Sequence, residues 1–209
     1  MFIKKRFFRA AGIAAVAVVF CVGCGDNNPD DPNNGGNPSV TTFQDSRDSK
    51  TYNKVTIGGK TWMAENLNYE AVGSVCYNNS AASCAKYGRL YNWEAAKTAC
   101  PSGWHLPSDA EWAALTDFVG GESTAGNKLK STSGWYRNGT NQYGFSALPG
   151  GDGYGSGNFS GAGDYGVWWS STEGDAYDAW YRSMGYGSES VNRYDDDETN
   201  LFSVRCVQD

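Results

Sequence analysis

This chain of 209 residues has a single histidine, His105, and no C-x-x-C spacing among the four cysteines that follow Cys24. One imidazole leaves room for at most one Ser-His-Asp or Cys-His arrangement. His105 lies in a tight Gly-Trp-His-Leu-Pro turn before a helix, so the expected role is structural, with the ring bonded to backbone. The four cysteines from Cys76 onward are separated by 7, 15 and 105 residues, a pattern that does not match zinc frameworks. Basic charge is also scarce. Lys4, Lys5, Arg6 and Arg9 account for four of the 17 basic residues, so the remainder carries 13 against 23 acidic residues, a net −10. Such a body repels phosphate backbones, and nucleic acid is not an expected partner. No apolar run is long enough to span a bilayer comfortably, and no internal repeat is visible.

What is present starts with an export signal. The four early basic residues form an n-region, and Ala10 to Val22 is an apolar run of h-region length. The run ends Cys21-Val22-Gly23-Cys24, similar to a bacterial lipobox with Cys21 where Leu is usual. Residues 1–23 are therefore expected to be a lipoprotein signal peptide, and Cys24 the lipidated residue. The chain would be anchored to the cell envelope, at the outer membrane. Residues 24–42 hold three of the six prolines with many Asn, Asp and Gly, and almost no apolar residue. Such a segment cannot offset its ordering entropy by burial and reads as a flexible linker. At about 18 residues it would span roughly 25 Å.

Residues 43–209 are expected to form one domain. Thr51 to Ile57 and Lys60 to Met63 read as a hairpin around Gly58-Gly59. Asn92 can cap a short helix ending before Pro101, with Trp93, Ala96 and Cys100 on one face. Ser108 with Glu111 three residues on is a capping box. Trp112, Leu115 and Val119 form the buried stripe, and Gly120-Gly121 the stop. No helix is expected after Gly121. Gly150 to Gly166 holds eight glycines in 17 residues and reads as a long irregular excursion. Val167 to Ser171 is a strand candidate. Ala179 to Met184 and Val191 to Tyr194 form a second hairpin, and Phe202 to Val207 a closing strand.

Four cysteines in an exported domain imply two disulfides, with three possible pairings. Cys76 and Cys84 bracket a polar loop. Cys100 follows a helix and Cys206 sits in the last apolar run, so that pairing would tie the terminal strand to the helix.

Several stretches in fixed order, TWMAENLNY, GRLYNWEAAKTACPSGWHLPSDAEWAALTDFVGG, GFSALPGG, WWSST and FSVRCVQD, resemble the Fibrobacter succinogenes major paralogous domain. More distantly, Trp93, Cys100, Leu106-Pro107-Ser108 and Glu111-Trp112 are similar to the core of C-type-lectin-like and formylglycine-generating-enzyme-type domains. The resemblance implies an α+β fold of C-type-lectin-like kind. Two short helices would flank a small twisted antiparallel sheet, with long irregular loops on one side. It also implies a Cys100–Cys206 disulfide. It carries over no catalytic residue.

The remaining constellations point to binding, not catalysis. Gly161 to Gly166 matches G-x-G-x-x-G by letter, but no strand precedes it and no helix follows, so no nucleotide or other cofactor is expected. Asp195, Asp196, Asp197 and Glu198 are a carboxylate run that could hold calcium but is better read as a solvated acidic turn. Trp168 and Trp169 must point to opposite strand faces, one into the core and the other either exposed to a ligand or covered by the glycine-rich loop. Tyr181 to Tyr194 has the Tyr, Ser, Gly, Asn and Arg composition of recognition loops. The candidate surface is therefore Trp168, Trp180, Tyr181, Tyr186, Arg193 and Tyr194. The expected function is a non-catalytic binding module for an extracellular glycan, plant-cell-wall polysaccharide first. A surface protein is the alternative partner, and an enzyme of the formylglycine-generating type a third reading.

Overall fold

The computed structural model describes residues 38–209. The expected signal peptide, Cys24 and most of the expected linker lie outside the described residues. The chain first forms a three-stranded antiparallel meander: β1 (Val40–Gln44), β2 (Thr51–Ile57) and β3 (Lys60–Met63). The strand β1 begins inside the expected linker, where the β-branched Val-Thr-Thr run pairs with β2. Gly58 and Gly59 have φ of 59° and 75°, the left-handed pair that a two-residue hairpin requires.

Next come β4 (Ser74–Val75), α1 (Ala81–Tyr87), β5 (Leu90–Tyr91), α2 (Trp93–Ala99) and β6 (Trp104–His105). Then follow α3 (Asp109–Phe118) and α4 (Glu122–Leu129). The Asn92 side chain caps α2 by accepting from the Ala95 N–H. Ser108 and Glu111 form the full reciprocal capping box of α3. The chain continues through β7 (Asp152–Gly153), β8 (Phe159–Ser160), β9 (Tyr165–Glu173), β10 (Asp178–Gly185), β11 (Asn192–Asp197), β12 (Phe202–Ser203) and β13 (Val207–Gln208).

The strands build two principal sheets, in the orders β1-β2-β3-β13-β6 and β11-β10-β9-β12-β5-β4, with β7-β8 as a separate hairpin. All pairings are antiparallel except β12 with β9. The fold is mixed α and β, but with four α-helices in the described residues in place of the two expected. One of the additions, α4, has poor helical composition and no side-chain cap. It is held by packing. Ala125 and Leu129 are buried, and Gly126 lies so close to the Ser190 carbonyl that a Cβ there would fall 2.3 Å from the oxygen. The other, α1, is tied by the Cys76–Cys84 disulfide.

The expected closing strand is divided. Its first part, β12, joins the six-stranded sheet, and its second part, β13, joins the other. Phe202, Val204 and Cys206 share one core cluster as the alternation requires. Arg205, pointing the other way, is fully buried.

The core is split into two clusters. Val55, Ile57, Trp62, Trp112 and Trp168 fill one with α3 and α4; Met63, Tyr91, Trp93, Trp169 and Phe202 fill the other with α2. Neighbouring pairs such as Trp62-Met63 and Trp168-Trp169 therefore each send one side chain to each cluster. Cys100 and Cys206 are bonded, with a Cα separation of 5.9 Å, as are Cys76 and Cys84 at 5.0 Å. Two such bonds fit a non-cytoplasmic domain. Among the described residues no helix is long and apolar enough to cross a membrane.

Candidate ligand-binding face

The register of β9, β10 and β11 decides which side chains can act together. Residues directly opposite one another in a ladder share a face. Tyr181 lies opposite both Trp169 and Tyr194, and Gly185 lies opposite Tyr165. Tyr165, Tyr181 and Tyr194 are thus on one face, joined by Asp196, whose partner is Ala179.

Tyr181 is half-buried. Its ring centroid is 4.8 Å from Phe202, 6.0 Å from Tyr194 and 6.3 Å from Trp169. Burial, reinforced by the charge of Asp196, pushes its hydroxyl up to about 12, so it remains a neutral donor at ordinary pH. Tyr194 is 52% exposed. Beside them the β7 segment contributes Asp152 and Tyr154. Burial, with the Asp196 charge adding to it, raises the pKa of Asp152. The Asp152 charge in turn raises that of Tyr154.

The glycine-rich segment supplies the other end of the face. Gly161 and Gly163 take φ of 75° and 94°, which turns the chain back into β9. The Gly163 carbonyl accepts from the Tyr136 N–H at 3.2 Å and the Asp164 carbonyl from the Tyr186 N–H at 2.8 Å. These bonds bring three tyrosines together edge to face. Tyr186 lies 5.4 Å from Tyr136 and 6.4 Å from Tyr165, centroid to centroid. Tyr136 is 77% exposed and Tyr165 49%. Neither was singled out from the sequence. The signal for Tyr136 was a lone aromatic after Gly134-Trp135 in a polar turn, and it becomes meaningful only through its contact with Tyr186.

The other candidates lie elsewhere. Trp168 is fully buried and donates to Asn66 Oδ1 at 2.9 Å, so it is core and cannot meet a ligand. Of the two outcomes left open for the second tryptophan, burial is the one found, because at these positions the two core clusters cover both faces of β9. Trp180 and Arg193 are on the face opposite Tyr181 and Tyr194. The Arg193 guanidinium stacks 3.3 Å from the Trp180 ring centroid and donates through Nε to Asp109 at 2.9 Å. Asp109 also accepts from Arg182 Nη1 at 2.6 Å. Burial opposes ionisation of Asp109, but the two arginines outweigh it and hold its carboxyl below the usual range. The expected six-residue surface therefore separates into a tyrosine face and an arginine-locked structural face.

Asp195, Asp196 and Asp197 are the end of β11 and not a turn, so they alternate between faces. Asp197 accepts from both the N–H and the hydroxyl of Thr199. Among the described residues no group of three or more His, Cys, Asp or Glu is placed to hold a metal ion. The His105 ring meets carboxylates instead of backbone. Nδ1 is 2.6 Å from Asp209 Oδ1 and Nε2 is 3.0 Å from Glu111 Oε1. The nearby Ser108 hydroxyl donates to Glu111, so no Ser-His pair forms.

No curated protein matches this chain, and no solved structure does. One family model matches over residues 55–208, a span that includes both disulfides, the capping box and all six strands of the sheet bearing the tyrosines. That model is the Fibrobacter succinogenes major domain, and the chain belongs to its family.

Proposed function

We propose that the chain is a lipid-anchored, non-catalytic binding module of the cell envelope that engages plant-cell-wall polysaccharide through its tyrosine face. The observation that carries this reading is the placement of Tyr165, Tyr181 and Tyr194 on one sheet face, continued by Tyr136 and Tyr186. Tyrosine rings offer flat apolar surface to sugar rings, and their hydroxyls with Asp152 and Asp196 supply donors and acceptors for sugar hydroxyls. The lipobox-like run ending at Cys24 supports anchoring at the outer membrane. A C-type-lectin-like relationship for the fold is supported by the helix-to-terminal-strand disulfide Cys100–Cys206 and the long loop region. Both domain cysteine pairs are closed as disulfides, which supports a non-catalytic reading over a cysteine-based enzyme.

Recovery of the full chain on insoluble cellulose and xylan tests the reading. Retention by one of these polymers, lost when Tyr165, Tyr181 and Tyr194 are all changed to Ala, is the expected result. Retention by neither polymer, or equal retention of the variant, contradicts it. A protein partner is the second reading, favoured by the exposed carboxylates on edge strand β11, and capture from cell envelopes separates the two.

A further inference from the structure

A cleft of about 210 Å³ opens between the segment after β3 and helix α1, on residues that none of the tyrosines above contributes to. Tyr52 and Asn66 are buried beneath it, Lys50 and Asn68 stand on one wall, and Lys86 and Tyr87 on the other. Its size matches a single monosaccharide unit.

The charges around the cleft are unusual for so acidic a chain. Lys50 is neutralised by Asp48 at 2.9 Å. Lys86 has no carboxylate partner among the described residues; its ammonium rests 4.6 Å from the Tyr87 ring centroid. Behind the cleft floor lies Arg205. It is fully buried and donates to Asn66 Oδ1 from Nε at 3.2 Å and Nη2 at 2.8 Å. Its other partners are the backbone carbonyls of Met63, Phe145 and Ser146, so no carboxylate bonds to it. Burial lowers its pKa to about 9, with Glu65 the acid that counteracts. Glu65 is also the only acid lining the cleft, and it already accepts from the Asn53 N–H at 2.7 Å. The one carboxylate lining the cleft thus acts on Arg205, and Lys86 has none of its own among the described residues. A charge held in a low-dielectric interior projects its field further than one in water. An anion entering the cleft would complete the balance.

The neutral polar groups fix the rest of the ligand. The Thr51 hydroxyl and the Asn68 side-chain amide both line the cleft, and neither has a hydrogen-bond partner among the described residues. Groups of this kind recognise hydroxyls. We propose that this cleft is a binding site for a small carboxylate bearing several hydroxyls, a monomeric sugar acid, held at its carboxylate by Lys86 over the buried Arg205–Asn66 pair. The site is separate from the tyrosine face and does not depend on the reading given for it.

Isothermal titration of the full chain with glucuronate, glucose and glucosamine tests the proposal. Glucuronate is expected to bind saturably and at least about tenfold more tightly than glucose, with glucosamine weaker still. Raising ionic strength to about 1 M, where the Debye length is near 3 Å, should reduce the preference for glucuronate. Because Arg205 is buried and its replacement would compromise folding, the variant is Lys86→Gln, on the exposed side of α1. It should melt like the parent and lose about fivefold or more in glucuronate affinity. A Tyr181→Ala/Tyr194→Ala variant should titrate as the parent does. The proposal is overturned by absence of saturable glucuronate binding, by equal binding of glucose, by a Lys86→Gln variant that binds like the parent, or by loss of binding in the tyrosine variant.

Discussion

Asn66 Oδ1 accepts from Arg205 and from Trp168 at once, with two guanidinium nitrogens at 2.8 and 3.2 Å and the indole nitrogen at 2.9 Å. The Asn66 amide nitrogen donates in turn to the Tyr87 carbonyl at 2.9 Å. One side chain thus joins the segment after β3, the end of α1, strand β9 and the divided terminal strand. Asn66→Ala would leave a buried charge and a buried indole short of an acceptor. The expected loss is about 3–5 kcal/mol, the range for removing one partner of a buried charge. Chemical denaturation of parent and variant measures it, and a loss below about 1 kcal/mol would remove Asn66 from this role.

The pH dependence has two limbs. Burial opposes the charge on His105, but hydrogen bonds from its ring to Asp209 and Glu111 prevail and raise its pKa above 6.5. The group is more stable protonated in the fold than in the unfolded chain. Its contribution is therefore complete below the unfolded pKa near 6.5 and is lost as pH rises through the higher folded value. Glu111 behaves oppositely. Burial opposes its ionisation, but donors from Ser108, Lys60 and His105 lower its pKa to about 2. Its contribution is present above about 4.5 and is lost as pH falls toward 2. Thermal melts across pH should show stability declining as pH rises above about 6.5, and His105→Ala should abolish that limb while also weakening the acid limb, because the ring is one of the donors to Glu111.

The two disulfides should differ in worth. The Cys100–Cys206 bond joins residues 106 apart, and the Cys76–Cys84 bond residues only 8 apart. By chain entropy the first stabilises by roughly 4–5 kcal/mol and the second by about 2.5 kcal/mol. Paired Cys→Ser variants followed by urea unfolding should preserve that order. Equal losses would mean that α1 depends on its disulfide for more than loop closure.

Gly126→Ala offers a test of what holds α4. In an isolated helix the change would help by about 1 kcal/mol. Here the new Cβ would meet the Ser190 and Glu189 carbonyls at 2.3 and 2.8 Å. The expected net effect is a loss of about 1–3 kcal/mol, read as a lower melting temperature. A gain would show that the loop at residues 189–190 yields freely.

The helix caps and the hairpin were legible in the sequence because each depends on residues within a few positions of one another. Ser108 with Glu111, and Gly58-Gly59, carry their geometry locally. The fate of Trp168 was not legible. Whether a strand face is covered is a tertiary matter, and here the two core clusters cover both sides of β9. Helix α4 was hidden because its reason for existing is the close approach of Gly126 to the loop before β11, not propensity. The division of the candidate surface was partly legible. Trp180 and Tyr181 are adjacent, as are Arg193 and Tyr194, so alternation alone places each pair on opposite faces. Not legible was the pairing of Arg193 with Asp109, a helix residue 84 positions away, which fixes that arginine on the structural side.

Binding is expected at the tyrosine face and not at the Trp180–Arg193 face. Binding isotherms on insoluble xylan and cellulose should compare the parent with Tyr181→Ala/Tyr194→Ala and with Trp180→Ala, each shown by thermal melt to be folded. The tyrosine variant should lose about tenfold or more in affinity, as expected when two ring contacts are removed, while Trp180→Ala should bind as the parent does. Undiminished binding by the tyrosine variant, or a loss confined to Trp180→Ala, would contradict that expectation.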